Sequence, residues 1–457
     1  MPSSRAFYFY WASKDIAGLG NGILFVAIVT LGYQVEESAT IASILVVAML
    51  LPPFILTPLA DRFVYGRRAY PTALIASLAF IAALLPLTAV ATTAQLRLVL
   101  TATFAAAIPA AFLKSARKAM LPALVDDGLD KYQKSTGDTP ESPGLPQGRT
   151  TTCLAAAEEA LNTTRLITLI AGPAAGSYLY GAANFGAAGF STCAIAAIIA
   201  LSVSALLLIF SRPSPAAWHP FKPQPLAVKL AELQKGLVYT WQLPALRTVA
   251  TIQLAAALLV GGVVVVQVAL MVWAVFTTAE NLGLVLAAQG LGLAIATLGN
   301  RFIRNCALDD TRIAIGLGLI AAGGFSFAVS TSLNGAIASG LAIGLGFGIS
   351  DLTISSIIRK FPPEEMAEPV WKGLDFARNG AMILSATCLG RMADLIGPRY
   401  SIVLISILLA VLALFSFGTM PNQDTQNGCN GRIRLHAERS LVSRLIQEGY
   451  SEHIKEG

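Results

Sequence analysis

Charged residues are scarce in this chain of 457 residues. Asp, Glu, Lys and Arg make up 13% of it, whereas an ordinary soluble domain carries about a quarter. Hydrophobic residues make up 55%. This composition excludes a typical water-soluble domain and indicates a chain embedded in a lipid bilayer.

Residues suited to metal binding or nucleophilic catalysis are also few. The chain has three histidines, all outside the long apolar segments, and it has no Gly-x4-Gly-Lys-Ser/Thr loop to bind ATP phosphates. The five cysteines have no metal-ligand or redox spacing. They are Cys153, Cys193, Cys306, Cys388 and Cys429. We therefore expect no metal, no organic cofactor and no enzymatic activity. The net charge of +6 comes from short basic clusters between apolar segments, so we expect no nucleic-acid partner.

Long uncharged runs occupy much of the chain. A bilayer core of about 30 Å needs roughly 20 apolar residues per helix, and residues 40–60, 71–96 and 248–279 carry no charge. The sequence predicts an all-α membrane protein with twelve transmembrane helices in two pseudo-symmetric six-helix bundles. The predicted spans are 13–34, 40–60, 71–91, 96–114, 156–181, 186–210, 248–275, 281–303, 312–331, 335–358, 373–396 and 400–419.

The distribution of basic residues predicts the orientation. With the N-terminus in the cytoplasm, the loops on the other side carry only Arg97, Arg391 and Arg399, which satisfies the positive-inside rule. We expect a multi-pass protein of the cytoplasmic (inner) membrane with both termini cytoplasmic. The predicted segments are a cytoplasmic N-terminus (1–12), a first bundle (13–210) with a disordered cytoplasmic insert (about 126–150), a cytoplasmic linker (211–247), a second bundle (248–419) and a cytoplasmic tail (420–457) with an amphipathic surface helix over 434–446.

Two short segments occur in similar form in both halves. Asp61-Arg-Phe-Val follows the second span and Asn300-Arg-Phe-Ile follows the eighth. Leu161-Asn-Thr-Thr-Arg165 opens the fifth span and Leu374-Asp-Phe-Ala-Arg378 opens the eleventh. Such matches at corresponding positions predict two related halves.

Four motifs give the chain a resemblance to the major facilitator superfamily, and within it to the bacterial branch of the enterobactin exporter and macrolide-efflux-type permeases. They are Leu19-Gly-Asn-Gly22, Pro58-Leu-Ala-Asp-Arg-Phe-Val-Tyr-Gly-Arg-Arg68, Ala116-Arg-Lys-Ala-Met-Leu-Pro-Ala-Leu-Val125 and Ala171-Gly-Pro-Ala-Ala-Gly176. The second resembles the family's motif A and the fourth its motif C. The resemblance implies the major facilitator fold, a small-molecule substrate and, through motif C, export.

The motif A-like loop is a candidate conformational latch. Its carboxylate follows an uncharged helix, where it can pair locally or cap a neighbouring helix N-terminus. An ordinary cytoplasmic loop rich in arginine is the alternative. The latch residues are Asp61, Arg62, Gly66, Arg67 and Arg68.

The motif C-like segment is a candidate hinge in the fifth span. Pro173 removes a backbone donor, and Gly172 and Gly176 remove side chains, so this helix can bend and approach another closely. Close helix packing without a hinge is the alternative.

Charges inside the spans are candidate proton or substrate sites. Asp351 is a candidate proton carrier, with pairing to Arg359 or Lys360 as the alternative. Arg165 and Arg378 are candidates for binding an anionic substrate.

For both arginines the alternatives are snorkelling to the membrane surface or pairing with Glu158, Glu159 or Asp375.

Neutral polar residues complete the set. Asn21 stands where the family often has an acid, and it cannot titrate, which leaves Asp15 as a weaker substitute. Gln253, Gln267 and Gln289 are candidates for facing a cavity or for hydrogen bonding between helices.

These observations favour a secondary active transporter, with proton-coupled efflux of a drug-like compound or siderophore as the first hypothesis. An uptake permease and a lysophospholipid flippase are the nearest alternatives. A hypothesis of another class is a non-transporting membrane sensor on the same scaffold. We expect a lipid bilayer, a small-molecule substrate and protons as partners, and a monomer.

Overall fold

Helices account for nearly all of the part of the chain that the computed structural model describes, and that part contains no strand. The described residues are 5–64, 66–90, 95–136, 147–183, 186–214, 226–270, 280–303 and 309–419. The helices are α1 (Arg5–Glu36), α2 (Ala39–Phe63), α3 (Ala69–Leu84), α4 (Leu96–Thr136), α5 (Gln147–Ala182), α6 (Gly186–Phe210), α7 (Leu226–Gln242), α8 (Pro244–Val260), α9 (Val263–Leu270), α10 (Glu280–Ile303), α11 (Asp309–Val329), α12 (Leu333–Lys360), α13 (Glu364–Ile396) and α14 (Pro398–Thr419). Each of the twelve predicted spans overlaps one or more of these helices, with residues 91 and 271–275 outside the described part.

Within the described ranges, ten helical segments are long and apolar enough to cross a membrane. Long side chains point outward from them, among them Ile75, Leu298 and Leu414, which are 68%, 64% and 76% exposed. Such surfaces suit lipid rather than water. The chain is therefore a multi-pass membrane protein. The helices α5 and α13 fall outside the ten because polar residues such as Arg165 and Arg378 interrupt them.

Each half has its own buried apolar core, and the two cores meet at one end of the bundle. We call the end where α1 begins and α2 ends the near end, and the opposite end the far end. The near part of α1, including Phe7 and Tyr10, belongs to the core of the first half. Val26 and Tyr33 of α1 and Ala42 of α2, further along, belong to the core of the second half. The halves are thus packed together towards the far end.

Three predicted segments differ from the structure. Helix α4 continues to Thr136 and α5 begins at Gln147, so helix enters both ends of the insert predicted at about 126–150. Lys, Gln and Leu favour this extension because they lose little side-chain freedom in a helix. Residues 137–146 lie outside the described residues, as does the tail, 420–457, with its predicted surface helix.

The seventh span is broken where the sequence predicts one helix. Gly261 and Gly262 separate α8 from α9, and the Gly262 N–H donates to Ser385 Oγ on α13 at 2.9 Å. A Cβ on Gly261 would lie 2.7 Å from the Met382 Cα, so the break allows close contact with α13. Residues 271–279 are outside the described part.

The predicted linker, 211–247, contains the helix α7. This helix packs antiparallel against the beginning of α13, where Gly236 lies against the carbonyl of Pro369, and Lys372 lies 3.9 Å from Glu232. The linker is therefore attached to the second half.

Candidate functional site

An ion pair links α12 to α13 inside the second half. Arg378 Nη1 donates to Asp351 Oδ1 at 2.7 Å. The side chains of Arg378 and Asp351 are 26% and 34% exposed, so both remain reachable. The sequence places both residues among the candidate sites, and the structure brings them together.

The ion pair lines a cavity of about 450 Å³, counted with its opening to solvent. Helices α8, α11, α12 and α13 build its walls, and most of the lining is apolar. The lining residues are Gln253, Ala256, Ala257, Val260, Gly261, Ile320, Phe347, Ser350, Asp351, Ile354, Arg378 and Met382. The arrangement places a charged pair and a buried amide beside an apolar wall.

Gln253 contributes an unused acceptor to this cavity. Its side chain is 6% exposed, and its buried Oε1 accepts no hydrogen bond from the described residues. Leaving such an oxygen without a donor costs about 1–3 kcal/mol, which a bound donor or water would recover. Gln267 differs, because its Oε1 accepts from Gln289 Nε2 at 2.8 Å between α9 and α10, away from the lining.

The structure distinguishes between the pairing partners predicted for Arg378 and Asp351. Asp375 accepts from Asn379 Nδ2 at 3.2 Å, one turn later on the same helix, while Arg378 reaches across to α12. Pairing of Arg378 with Asp375 is therefore corrected to pairing with Asp351. The side chains of Arg359 and Lys360 lie outside the described residues.

Asp15, the other candidate acid, belongs to a different neighbourhood. Its Oδ1 accepts from Thr164 Oγ1 at 3.1 Å, and Thr164 Oγ1 also accepts from Trp11 Nε1 at 2.7 Å. These bonds tie the near part of α1 to α5. Asp15 is half-buried in this contact rather than beside the ion pair.

Asn21 lies on the face of α1 that points away from α6. Gly20 packs against Ala197 and Ala200 of α6, whereas Phe25, one turn beyond Asn21, packs against the core of the second half. The Asn21 side chain is exposed. This polar group is therefore accessible on α1, one turn before Phe25.

Arg165 is exposed on α5. It lies close enough to Lys14 of α1 to repel it electrostatically. The two arginines that the repeat places at matching positions thus have different surroundings: Arg378 has a carboxylate partner, and Arg165 lies beside another cation.

The motif C-like segment is a contact point for two helices. A Cβ on Gly172 would lie 3.0 Å from the Gly22 Cα, and one on Gly176 would lie 2.9 Å from the Ile23 Cα, so α1 and α5 touch through backbone. On the other side, the Pro173 carbonyl faces Gly283 of α10, in the second half. This geometry establishes the close packing, and the hinge stays a prediction.

The motif A-like residues lie at the near end of α2. Asp61 is half-buried in the last turn, and Gly66 has φ +50° in the short 3₁₀ turn that leads into α3. The side chains of Arg62, Arg67 and Arg68 are exposed. Among the described residues, Asp61 makes no hydrogen bond or ion pair with α13, so the latch stays a prediction.

The sequence analysis missed a polar cluster inside the first half. Arg117 Nη2 of α4 donates to Ser204 Oγ at 2.9 Å and to Ser13 Oγ at 3.3 Å, which joins α4 to α6 and α1. Tyr10 donates to the Arg117 carbonyl at 2.9 Å. The only signal in the sequence was an arginine early in the third motif of the resemblance, and no pattern linked it to the two serines.

Comparison with known proteins identifies the fold through solved structures. No protein-family model and no curated protein matches the sequence. Solved structures do match. A POT family transporter in complex with 5-aminolevulinic acid matches with a TM-score of 0.66 at 12% identity, over 91% of this chain and 96% of that chain.

Two further structures agree. The nucleoside transporter NupG matches with a TM-score of 0.61 at 11% identity, over 91% of this chain and 99% of that chain. The human organic anion transporter MFSD10 (TETRAN) matches with a TM-score of 0.58 at 13% identity, over 91% of this chain and 100% of that chain. These proteins are transporters rather than enzymes, and they share the major facilitator fold. The predicted fold is confirmed, and the narrower branch of exporters stays a prediction.

Proposed function

We propose that this protein is a secondary active transporter that carries a small molecule by alternating access between its two halves. The observation that carries the proposal is the Asp351–Arg378 pair, half-open to a cavity inside a membrane-spanning bundle. Charged side chains are costly at such positions and are retained chiefly where they do work. The fold shared with peptide, nucleoside and organic anion transporters supports the same conclusion.

Protons are the proposed coupling ion, and Asp351 is the proposed carrier. Arginine stays charged at any physiological pH, whereas a carboxylate in a poorly hydrated cavity can take up a proton. Protonation of Asp351 would release Arg378 to a substrate group, and loss of the proton would restore the pair. Asn21 cannot titrate, and Asp15 does not line the cavity, so neither replaces Asp351 in this scheme.

Export is the proposed direction, and the near end is the proposed cytoplasmic face of the inner membrane. The resemblance of Ala171–Gly176 to motif C supports export, and the basic loops support the orientation. A drug-like compound or a siderophore is the proposed substrate, and the apolar lining beside one ion pair supports a substrate that is partly apolar and partly polar. Uptake and lysophospholipid flipping remain the alternatives that a measured direction would decide.

Transport assays in inverted membrane vesicles test the proposal, with ethidium as the drug-like probe and enterobactin as the siderophore. We expect probe accumulation that stops when the pH gradient is collapsed, and we expect Asp351→Asn to abolish it. Asp375→Asn is the matched control, because Asp375 is a half-buried acid on α13 that does not line the cavity. Accumulation that persists without the gradient would remove proton coupling.

A non-transporting sensor is the second candidate, and Asn21 in place of an acid favours it. For a sensor, neither probe would move in the vesicles, yet a ligand would still raise the melting temperature of the purified protein. The two outcomes separate the classes, since a transporter moves its ligand and a sensor only binds it.

A further inference from the structure

One carboxylate joins the two halves at the far end of the bundle. Asp394 lies in the last turn of α13, beside the first residues of α2. Its Oδ1 accepts from the Ala39 N–H at 2.7 Å, and its Oδ2 accepts from Ser38 Oγ at 2.7 Å and from the Thr40 N–H at 3.0 Å. Three hydrogen bonds therefore run from one half to a single side chain of the other.

These bonds cap a helix that does not cap itself. The first N–H groups of any helix lack partners within it, and the helix dipole favours a negative charge there. Ser38 is in the N-cap position of α2 with φ −112° and ψ 121°, but its side chain makes no cap hydrogen bond to its own helix. Asp394 supplies the cap instead.

Close packing continues below the cap. Gly390, one turn before Asp394, lies against Ser43 of α2, and an added Cβ would collide with the Ser43 side chain. Further along, the rings of Phe54 and Phe376 stack with centroids 4.4 Å apart. We call this contact of α2 with α13 the seam.

The near end of the seam is different. Asp61 lies seven residues beyond Phe54, about 10 Å along the helix at 1.5 Å per residue. In the described part of the chain it makes no bond to α13, whereas Asp394 makes three bonds to α2. The seam is therefore closed at the far end. Among the described residues, its carboxylate contact is the one that Asp394 makes there.

We propose that Asp394 is the far-end latch of this protein: an anionic cap that the second half lends to α2 and that must be withdrawn before the cavity opens at the far end. The inference rests on the proposed alternating access for what the opening accomplishes. The proposed latch concerns only which conformation the contact between Asp394 and α2 favours, so it can be tested without a substrate.

Distances between spin labels test it on the full-length protein in lipid nanodiscs, after replacement of the native cysteines. Labels at Leu85 and Asn334, which are exposed at the far ends of α3 and α12, report the separation of the halves there. We expect Asp394→Asn to raise the ratio of open to closed molecules roughly fivefold, because the amide loses the negative charge that the helix dipole favours and one of the two acceptor oxygens. Ser38→Ala removes one of the three bonds and should raise the ratio less.

Arg391→Gln is the control, since Arg391 is an exposed charge one turn earlier on α13 and takes no part in the cap. Its distances should match those of the unaltered protein. If Asp394→Asn fails to fold, Ser38→Ala decides, because it leaves the carboxylate in place. Unchanged distances in Ser38→Ala and in any folded Asp394→Asn would overturn the latch even if the protein transports. Far-end opening in a protein that moves no probe would support the latch and count against the transport proposal.

Discussion

Arg117 in the first half and Arg378 in the second half are held in opposite ways. In the first half, Arg117 donates to the hydroxyls of Ser13 and Ser204, and its buried Nε finds no acceptor among the described residues. In the second half, Arg378 meets the carboxylate of Asp351. Hydroxyls are neutral, whereas a carboxylate balances the charge of the arginine. The comparison shows one arginine held by neutral groups inside the first half and one held by an opposite charge beside the cavity of the second half.

The largest difference should appear between the two arginines that the repeat aligns, Arg378 and Arg165. Arg378→Ala leaves the Asp351 carboxylate uncompensated in the cavity and removes the cation, so we expect probe transport to fall by roughly a hundredfold. Arg165→Ala removes an exposed arginine near Lys14 and should change transport by less than about twofold. Initial rates in vesicles, normalised to the amount of folded protein, measure both.

Equal losses in the two variants would contradict the division of labour between the halves. Arg378→Lys sharpens the result. A lysine keeps the charge but not the planar fork, so transport that recovers in part would assign the role to charge. No recovery would assign it to geometry.

A smaller effect, on the melting temperature, should distinguish Arg117 from Arg378. Arg117→Met removes a buried cation without a described carboxylate partner, while Ser13 and Ser204 keep their mutual bonds, in which Ser13 Oγ donates to the Ser204 carbonyl at 2.9 Å and Ser204 Oγ to the Ser13 carbonyl at 2.7 Å. We therefore expect its melting temperature to stay within about 4 °C of the parent value or to rise. Arg378→Met should melt lower, because it isolates a carboxylate.

Thermal unfolding in the same detergent compares the two methionine variants directly. A large drop for Arg117→Met together with none for Arg378→Met would reverse the comparison. In that case the serine cluster, and not the ion pair, would be the interaction that stabilises its half.

Features that rest on long sequence patterns were predicted, whereas contacts between single residues were not. The spans follow from runs of about twenty apolar residues, and each predicted span overlaps helix in the described part of the chain, although the seventh is broken. Asp351 and Arg378 were identifiable singly because charge is rare inside spans. Their pairing was not, since they lie 27 residues apart on different helices and Asp375 offered a nearer carboxylate.

Contacts between helices escape the sequence for the same reason. Arg117, Ser13 and Ser204 come from three helices, and nothing in their spacing links them. Asp394 reads as an acid at a span end, and only the fold brings it to the N-terminus of α2. Gly261 and Gly262 are ordinary residues of a membrane helix until the approach of α13 explains the break.

The smallest effect concerns the near end of the second half, where α13 extends beyond its predicted span. Lys372 donates a hydrogen bond to Glu368 at 2.7 Å, and this bond, with the nearby charges of Lys372 and Lys118, holds the pKa of Glu368 below its usual range. A lowered carboxylate pKa stabilises the fold at pH above the ordinary glutamate value, and this stabilisation disappears as the pH falls through the lowered value. Glu368 is largely exposed, so the contribution is small and screened by salt.

We therefore expect Glu368→Gln to lower the melting temperature slightly at pH 7 and at low salt. The two proteins should converge as the pH falls through the lowered pKa, which lies below the ordinary glutamate value of about 4.3. Glu365→Gln is the control, since Glu365 is an exposed acid one turn earlier on α13. A difference that persists in acid would show that the glutamine perturbs packing rather than charge. A loss confined to neutral pH would assign the effect to charge, chiefly that of Lys372 one turn later on α13.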